Sequence, residues 1–333
     1  MKVVIFSSKP YDEHFLKQFN AESGHELSFL QERLTVDTAY LAHGSQAICA
    51  FVNDSLDAAT LEKLVQGGTQ FIVLRCAGFN NLDQVAAKKL GLLVARVPSY
   101  SPYAVAEHAI ALLLCLNRHI HKAHNRVREG NFSIDGLMGH DIHGKTIGVI
   151  GTGVIGSIFA KILIGFGGDV LAHDMVQHPE CLKNGVKYVG LDELFERSYI
   201  ISLHCPLTPE THHMIDEGNL AKMRDGVFII NTSRGALIDT EAVSEAVKSG
   251  KIGGLALDVY EEGSELFFED RSDCIIQDDV LMRLMAFPNV LVTSHQAFFT
   301  HEAMENIAKT TLSNLTDFES GRSCSNRINL ANS

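Results

Sequence analysis

The sequence lacks a surplus of basic residues, cysteines arranged in pairs, and long hydrophobic runs. It contains 28 lysine and arginine residues against 40 aspartate and glutamate residues, which gives a net charge of −12. Neutralising the phosphates of a nucleic acid needs a basic surplus, so we expect no nucleic-acid partner. The seven cysteines form no CxxC pair. This scatter predicts neither a zinc site nor a disulfide framework and is typical of a reducing compartment.

No stretch reaches the ~20 consecutive apolar residues that a membrane-spanning helix needs. The first segment, MKVVIFSSKP, has an apolar run too short for the core of a signal peptide. We therefore expect a soluble protein of the cytoplasm, without membrane contact. The length of 333 residues and the hydrophobic content of 46% suffice for about two domains, each with its own core.

Short apolar runs bounded by turn residues recur along the chain and alternate with segments compatible with helices. The runs are VVIF, AICAFV, FIVLRC, LLVARV, TIGVIG, DVLAHD, YIISLH, VFIINT, GGLALDV and NVLVT. This alternation predicts βαβ units and an α/β fold with doubly wound parallel sheets. One continuous helix is predicted from Pro102 to about Arg128, with Ser101 as its cap. It begins a second unit at about residue 101, after an N-terminal unit at 1–100.

A glycine motif lies between a predicted strand and a predicted helix. In TIGVIGTGVIGSIFAKIL, Gly151, Gly153 and Gly156 form GxGxxG. The first glycine permits a tight turn, the second lets backbone N–H groups approach a pyrophosphate, and the third allows close packing of the helix on the strand. A glycine-rich turn without a ligand is the less favoured alternative. The motif therefore predicts a dinucleotide site.

An acidic residue ends the next predicted strand. Asp174 follows Gly156 by eighteen residues, close to the spacing at which a carboxylate binds the ribose hydroxyls of a dinucleotide. No arginine or lysine occupies the four positions after it, MVQH. A 2′-phosphate would therefore meet a carboxylate without a compensating cation, and the sequence favours NAD over NADP.

Arg234 and His295 each follow an apolar run, at the strand ends where a doubly wound sheet binds its ligands. The guanidinium of Arg234 can hold a carboxylate and polarise a carbonyl. The imidazole of His295 can exchange a proton near neutral pH. Together the two residues suit the reduction of a 2-oxo acid, although each alone is also compatible with an ordinary structural role.

Four motifs, GTGVIG, NTSRGALID, LALDVYE and VLVTSHQAF, follow the order and spacing of the D-specific 2-hydroxyacid dehydrogenases, and the sequence resembles that family nearly from end to end. RCAGFNNLD, RVPSYSPYAVAEHAIALLL, FFEDRSDCIIQDDVLMRL and HQAFFTHEA look closest to its fermentative D-lactate dehydrogenase branch. The resemblance implies two Rossmann-like domains. Residues 1–100 and 299–333 would form a flavodoxin-like catalytic domain, and residues 101–298 an inserted NAD-binding domain. It further implies a homodimer or homotetramer.

The resemblance also implies roles for particular residues. Arg234 would bind the carbonyl and carboxylate of the substrate, His295 would be the acid and base, and the cleft would close on NADH before hydride transfer. The implied substrate-binding residues are Cys76, Ala77, Gly78, Tyr100, Arg234 and Phe298. The implied cofactor-binding residues are Gly151, Thr152, Gly153, Val154, Ile155, Gly156, Asp174, Cys205, Pro206, Thr232, Ser233 and Asp258.

One catalytic feature of the family is missing from its place. In the family, a glutamate five residues after the aspartate that ends the strand pairs with the histidine, and counting from Asp258 that position is Gly263. Neighbouring Glu262 can reach His295 instead, because the glycine beside it frees the backbone. Alternatively, His295 works without a carboxylate, and its lower pKa makes pyruvate reduction decline at a lower pH. In the third alternative, the protein binds NADH but catalyses poorly and acts as a sensor.

The residues and the resemblance together predict an enzyme for reversible hydride transfer between NADH and pyruvate, and the resemblance alone implies D-lactate as the product. Reduction of hydroxypyruvate, glyoxylate or phenylpyruvate is the alternative among enzymes, and an NADH-responsive binding protein is the alternative outside them. Two histidine-rich stretches, HIHKAH and THHMID, have no acidic third ligand beside them. We therefore expect no metal site.

Overall fold

The computed structural model describes residues 1–261, 263 and 266–330. The strands of this part are β1 Lys2–Ile5, β2 Glu26–Phe29, β3 Ala47–Ala50, β4 Phe71–Leu74, β5 Leu93–Arg96, β6 Thr146–Ile150, β7 Asp169–His173, β8 Lys187–Tyr188, β9 Ile200–Leu203, β10 Val227–Asn231, β11 Ile252–Leu257 and β12 Val290–Val292. The α-helices are α1 Pro10–Asn20, α2 Ala58–Gln66, α3 Gln84–Lys89, α4 Pro102–Asn117, α5 Ile120–Arg128, α6 Val154–Gly165, α7 Pro179–Lys183, α8 Leu191–Arg197, α9 Glu217–Lys222, α10 Thr240–Ser249, α11 Asp279–Ala286 and α12 His301–Glu319. None of these described helices combines the length and the hydropathy that crossing a membrane requires.

The chain divides into two compact units. One consists of Met1–Ser101 together with Phe299–Ser333, and we call it the discontinuous unit. The other is Pro102–Phe298, and we call it the central unit. Each unit has its own parallel sheet and its own buried core.

The sheet of the discontinuous unit has the strand order β2-β1-β3-β4-β5, with parallel pairing throughout. β3 and β4 are buried along their whole length, as expected for central strands that are covered on both faces. The C-terminal helix α12 returns to this sheet, where the ring of Phe318 stacks on that of Phe71 at a centroid distance of 4.6 Å. The last helix is therefore part of the same core as the first strands.

The sheet of the central unit has the order β12-β11-β10-β9-β6-β7-β8, again parallel. Side chains of α4 and α6, such as Leu113 and Phe159, belong to one buried cluster, and those of α10 and α11, such as Val243 and Leu284, belong to another. The strand order reverses between β6 and β9, which is where doubly wound sheets bind ligands. The predicted α/β class with doubly wound parallel sheets is confirmed.

The single helix predicted from Pro102 to Arg128 is wrong, because the structure has two helices there. α4 ends at Asn117, and α5 follows His119, whose backbone has a left-handed φ of 52°. The side-chain amide of the buried Asn117 donates to the carbonyl of His140 at 2.7 Å, and its oxygen accepts from the His140 N–H at 3.1 Å. These two bonds fix the end of α4 to a loop distant in sequence. No proline or glycine marks the break.

Candidate active site

The glycine motif forms the turn from β6 to α6, at the point where the strand order reverses. Gly151 has a φ of 90°, and a Cβ added to it would lie 2.5 Å from the backbone nitrogen of Cys205. A Cβ on Gly156 would lie 2.0 Å from the carbonyl oxygen of Gly151. At Gly153, by contrast, a Cβ would meet no atom of the described residues within 4 Å, its chain neighbours aside. The open N-terminus of α6 therefore fits a pyrophosphate.

Asp174 follows β7 and is bonded to this turn. Its Oδ2 accepts from the N–H of Thr152 at 2.5 Å and from the Thr152 hydroxyl at 3.0 Å, and its Oδ1 accepts from the N–H of Val176 at 3.2 Å. Burial alone would raise the pKa of Asp174, but the N–H donors of Thr152 and Val176 hold it below its usual value. The residue is thus an ionised carboxylate fixed beside the glycine turn.

Other predicted cofactor residues meet at the ends of β9 and β10. The hydroxyl of Ser233 donates to the carbonyl of Cys205 at 2.7 Å, and Gly151 packs on the backbone of Cys205. The hydroxyl of Thr232 is buried and has no hydrogen-bond partner within the described part of the chain. Three further predicted cofactor residues are exposed or half-buried: Val154, Ile155 and Pro206. An open helix terminus, an ionised carboxylate and an unpartnered hydroxyl fit NAD.

Arg234 lies directly after β10 and the Ser233 turn. Its guanidinium is exposed and donates from Nη1 to the carbonyl of Ser233 at 2.7 Å. Its own backbone carbonyl accepts from the side-chain amide of the fully buried Asn231 at 2.8 Å. Since no carboxylate of the described residues forms an ion pair with Arg234, the fork is available to a bound anion.

His295 lies on the loop after β12, with a left-handed φ of 58°. Asp258, which directly follows β11, is fully buried and holds this loop. Its carboxylate accepts from the hydroxyl of Thr293 at 2.5 Å and from the N–H groups of Gln296 and Ala297 at 2.9 and 2.8 Å. These bonds flank His295 on both sides and fix the backbone from which the imidazole extends.

A histidine that the sequence analysis did not single out completes this network. Nε2 of His108, on α4, lies 3.3 Å from the hydroxyl of Thr293 and 3.3 Å from the carboxylate of Asp258. Burial would raise the pKa of Asp258, but its bonds from His108, Thr293 and Ala297 hold it below its usual value. No sequence spacing relates residue 108 to residue 258. The described side-chain contacts of Asp258 are to His108 and to the His295 loop, and its cofactor contact stays a prediction.

Three aromatic side chains form a group beside the ring of His295: Phe267, Phe268 and Phe298. The first two rings have centroids 6.4 and 5.6 Å from that of His295, and the third lies 6.3 Å from the second. Burial lowers the pKa of His295, the charge of Asp258 opposes this shift, and the charge of Arg234 adds to it. Arg234 follows β10 and His295 follows β12, and both strands pair in parallel with β11, so the two residues lie at the same edge of the sheet.

Gly263, which stands where the family has its glutamate, is buried against the same aromatic group. A Cβ added to Gly263 would lie 2.8 Å from the ring of Phe267, so a longer side chain there requires that ring to move. Glu262, the predicted substitute, lies outside the described residues. Among the residues that are described, none forms a hydrogen bond with the ring of His295.

The remaining predicted substrate residues belong to the discontinuous unit. Residues 76–78 follow β4, and the carbonyl of Ala77 accepts from Nη1 of Arg96 at 2.5 Å. Tyr100 follows β5, and its backbone carbonyl accepts from the side-chain amide of Asn306 at 2.7 Å. Both segments are held by side chains of their own unit, Arg96 and Asn306. These contacts could not be predicted from the local sequence.

These features place the central unit in the class of dinucleotide-binding α/β oxidoreductases. Residues 110–297 match the family model "D-isomer specific 2-hydroxyacid dehydrogenase, NAD binding domain". The chain belongs to this family, as its motifs predicted, and the prediction of NAD as the cofactor is confirmed.

The chain is similar along nearly its whole length to proteins that are named for an enzymatic activity. It is 52% identical over 328 residues to the D-lactate dehydrogenase of Escherichia coli K12, covering 98% of this chain and 100% of that one. The solved apo-structure of D-lactate dehydrogenase from Escherichia coli has a TM-score of 0.91 at 50% identity and the same coverage. The structure of the pyruvate reductase of Chlamydomonas reinhardtii has a TM-score of 0.93 at 42% identity, covering 98% of both chains.

Replacing Asp174 with serine is expected to weaken the preference for NADH over NADPH. The ionised carboxylate repels a 2′-phosphate, and like-charge contacts of this kind cost several kcal/mol, so the ratio of the two kcat/KM values should fall by about a hundredfold. Steady-state kinetics with each cofactor measure the ratio. Asp169→Asn is the matched control, since Asp169 begins β7, the strand that Asp174 follows, but pairs with Lys187 at 2.9 Å. An unchanged ratio in Asp174→Ser would contradict the assigned role.

Proposed function

We propose that the protein is an NAD-dependent D-lactate dehydrogenase that interconverts pyruvate and D-lactate. The observation that carries the proposal is that Arg234 follows β10 and His295 follows β12, the two strands that flank β11 in the sheet of the NAD-binding domain. Its substrate is supported by relatives named D-lactate dehydrogenase or pyruvate reductase.

In this proposal, Arg234 binds the carboxylate and polarises the carbonyl of pyruvate, because its planar fork can donate two parallel bonds. His295 donates a proton to the carbonyl oxygen during reduction and removes it from the hydroxyl of D-lactate in the reverse direction. Bound NADH supplies the hydride to C2. Asp258 keeps the His295 loop in place through its three bonds to that loop.

We propose substrate contacts for the other residues that the family resemblance indicated. Backbone N–H groups of residues 76–78 bind the substrate carboxylate, and Tyr100 lies beside it. Phe298 limits the size of the group attached to C2, since its ring belongs to the aromatic group around His295. The two-domain assignment is part of the same proposal, with the discontinuous unit as the catalytic domain.

Turnover of a panel of 2-oxo acids tests the proposal. The purified protein should oxidise NADH fastest with pyruvate, and more slowly with hydroxypyruvate, glyoxylate and phenylpyruvate. Chiral chromatography of the product should find D-lactate. If the protein prefers another acid of the panel, that acid and not pyruvate is the substrate. NADH binding without turnover of any acid would identify an NADH-responsive binding protein.

The pH dependence of pyruvate reduction is expected to reveal the low pKa of His295. Proton donation needs the imidazolium form, so kcat/KM falls as pH rises through this pKa. Because burial lowers the pKa below the ordinary 6.5, we expect the fall to be centred below that value. Initial rates measured from pH 5 to 9, in steps of about half a pH unit, locate the midpoint of this fall in kcat/KM.

Glu262→Gln tests whether the neighbouring carboxylate has replaced the missing glutamate. We expect the profile to stay in place, with His295 working inside its apolar surroundings. Glu261→Gln is the matched control, because its carboxylate bonds to His213 and Thr240 and its loss changes the local charge equally. A wild-type profile centred near or above neutral pH that moves down in Glu262→Gln alone would instead make Glu262 the partner of His295.

We also propose that the enzyme acts in the cytoplasm as a homodimer or homotetramer. The support is the family resemblance together with the scattered positions of the cysteines, which form no CxxC pair. Light scattering coupled to gel filtration measures the subunit number. A monomeric mass near 36.5 kDa in the active preparation would contradict the oligomer.

A further inference from the structure

Three side chains with metal-ligating atoms meet on the central unit, and the proposed reaction uses none of them. They are His212, His213 and Glu261, whose ligand atoms all lie within 4.8 Å of one another. The rings of His212 and His213 are stacked with centroids 3.9 Å apart, and Nε2 of His213 lies 2.5 Å from Oε1 of Glu261. The fold brings the third ligand, Glu261, to the stretch THHMID from a distant loop.

The loop that carries the two histidines is held in a fixed conformation. Its backbone turns at His213, where φ is 51°, and the His213 N–H donates to the carbonyl of Ala236 at 2.8 Å. Within the loop, the hydroxyl of Thr211 accepts from the N–H of Thr208 at 2.8 Å and donates to the carbonyl of Pro206 at 2.7 Å. The imidazole of His213 is therefore presented to Glu261 by a backbone that does not have to be ordered by a ligand.

The carboxylate of Glu261 is held by a hydrogen bond on one oxygen and faces His213 with the other, as metal-ligating carboxylates commonly do. Its Oε2 accepts from the hydroxyl of Thr240 at 2.9 Å, and its Oε1 faces His213. Hydrogen bonds to ligating groups from a second layer of residues orient them and strengthen metal binding. His212 is exposed, while His213 and Glu261 are half-buried, so an ion can enter from solvent and the exposed imidazole can turn toward it.

We propose that His212, His213 and Glu261 form a binding site for one divalent ion of the zinc class. Two imidazole nitrogens and one carboxylate oxygen are the donor set of many zinc sites, with water as the fourth ligand. The same donors favour Zn²⁺, Co²⁺ or Ni²⁺ over Mg²⁺ and Ca²⁺, which require oxygen ligands. Bound zinc ligands lie about 2.0–2.2 Å from the metal, so small rotations of the three side chains close the site.

The site joins two loops of the central unit, the one after β9 and the one after β11. An ion that binds the folded state and not the unfolded chain stabilises the fold by mass action. At a free concentration of about 100 times Kd, this corresponds to a rise in Tm of about 5–10 °C for a domain of this size. The ion is thus a removable link between these loops.

Metal titration of the full chain tests the proposal without using activity. The chelator-treated protein is titrated with Zn²⁺ by calorimetry and with Co²⁺ by visible absorption, and Tm is measured with and without Zn²⁺. His212→Phe keeps a ring stacked on His213 and leaves the hydrogen bond between His213 and Glu261 intact, but it removes one metal ligand. Glu261→Gln keeps a hydrogen-bonding group of the same size but weakens the anionic ligand.

Cys115→Ser is the matched control, since the thiol of Cys115 lies 3.6 Å from Nδ1 of His121 and offers a competing pair of donors elsewhere on the chain. We expect one tight ion per chain in wild type and in this control, with affinity lowered about tenfold or more in His212→Phe and Glu261→Gln. The rise in Tm should be lost with the affinity. Absence of tight binding in wild type, or equal binding in His212→Phe, would overturn the proposal and leave His213 and Glu261 as a hydrogen-bonded pair.

Discussion

Replacement of His295 with asparagine is expected to lower kcat/KM for pyruvate by about 10²–10⁴-fold, the usual contribution of a positioned acid or base. Asparagine tolerates left-handed backbone better than most residues, so it suits the φ of 58° at this position. The buried bonds of Asp258 to Thr293, Gln296 and Ala297 do not involve the imidazole. The loop should therefore stay folded while the proton donor is lost.

Steady-state kinetics with pyruvate, together with NADH binding by fluorescence, separate loss of proton transfer from loss of the site. NADH affinity should be nearly unchanged in His295→Asn. His301→Gln is the control, because His301 is exposed at the start of α12 and its replacement should leave turnover unchanged. A decrease of less than about tenfold in His295→Asn would show that another group, or water, supplies the proton.

Replacement of Arg234 with lysine is the second change with a large expected effect. Lysine retains the positive charge but has a compact ammonium in place of the planar fork, so it cannot donate two parallel bonds to a carboxylate. A hydrogen bond to a charged group contributes about 1.5–3 kcal/mol, so we expect kcat/KM for pyruvate to fall by about 10–100-fold. The buried Asn231 bonds to the backbone of Arg234, and the turn itself should persist.

Separate values of kcat and KM test where the loss arises. If Arg234 binds both the carboxylate and the carbonyl, KM should rise and kcat should fall in Arg234→Lys. Arg224→Lys is the control, since Arg224 lies over the ring of Tyr199 at 5.8 Å and has no assigned contact with substrate. Unchanged KM and kcat in Arg234→Lys would remove Arg234 from the substrate site.

Strand prediction succeeded because the strands of a parallel sheet covered on both faces are continuously apolar. Each of the ten apolar runs overlaps a strand of the structure. The strands that were missed are β2 and β8, which lie at the edges of their sheets. β2 has exposed and half-buried positions in alternation, and β8 spans two residues, so neither forms an apolar run.

Local sequence was less informative where a distant residue decides the conformation. The break after α4 depends on the bonds between Asn117 and His140, and neither residue is a helix breaker. The packing of Phe267 on Gly263 likewise shows why a side chain at position 263 needs rearrangement of the aromatic group. Neither the helix break nor this packing can be predicted from spacing along the chain.

The sequence by itself determined the α/β class, the dinucleotide turn and the family. Each depends on local patterns: apolar runs, three glycines at short spacing, and motifs in a fixed order. The tertiary structure alone decided which side chains meet. His108 and the His295 loop converge on Asp258, and Glu261 reaches His213 from 48 residues away. Such contacts depend on the order in which strands lie side by side, because parallel strands bring residues together at one sheet edge whatever their separation in the chain.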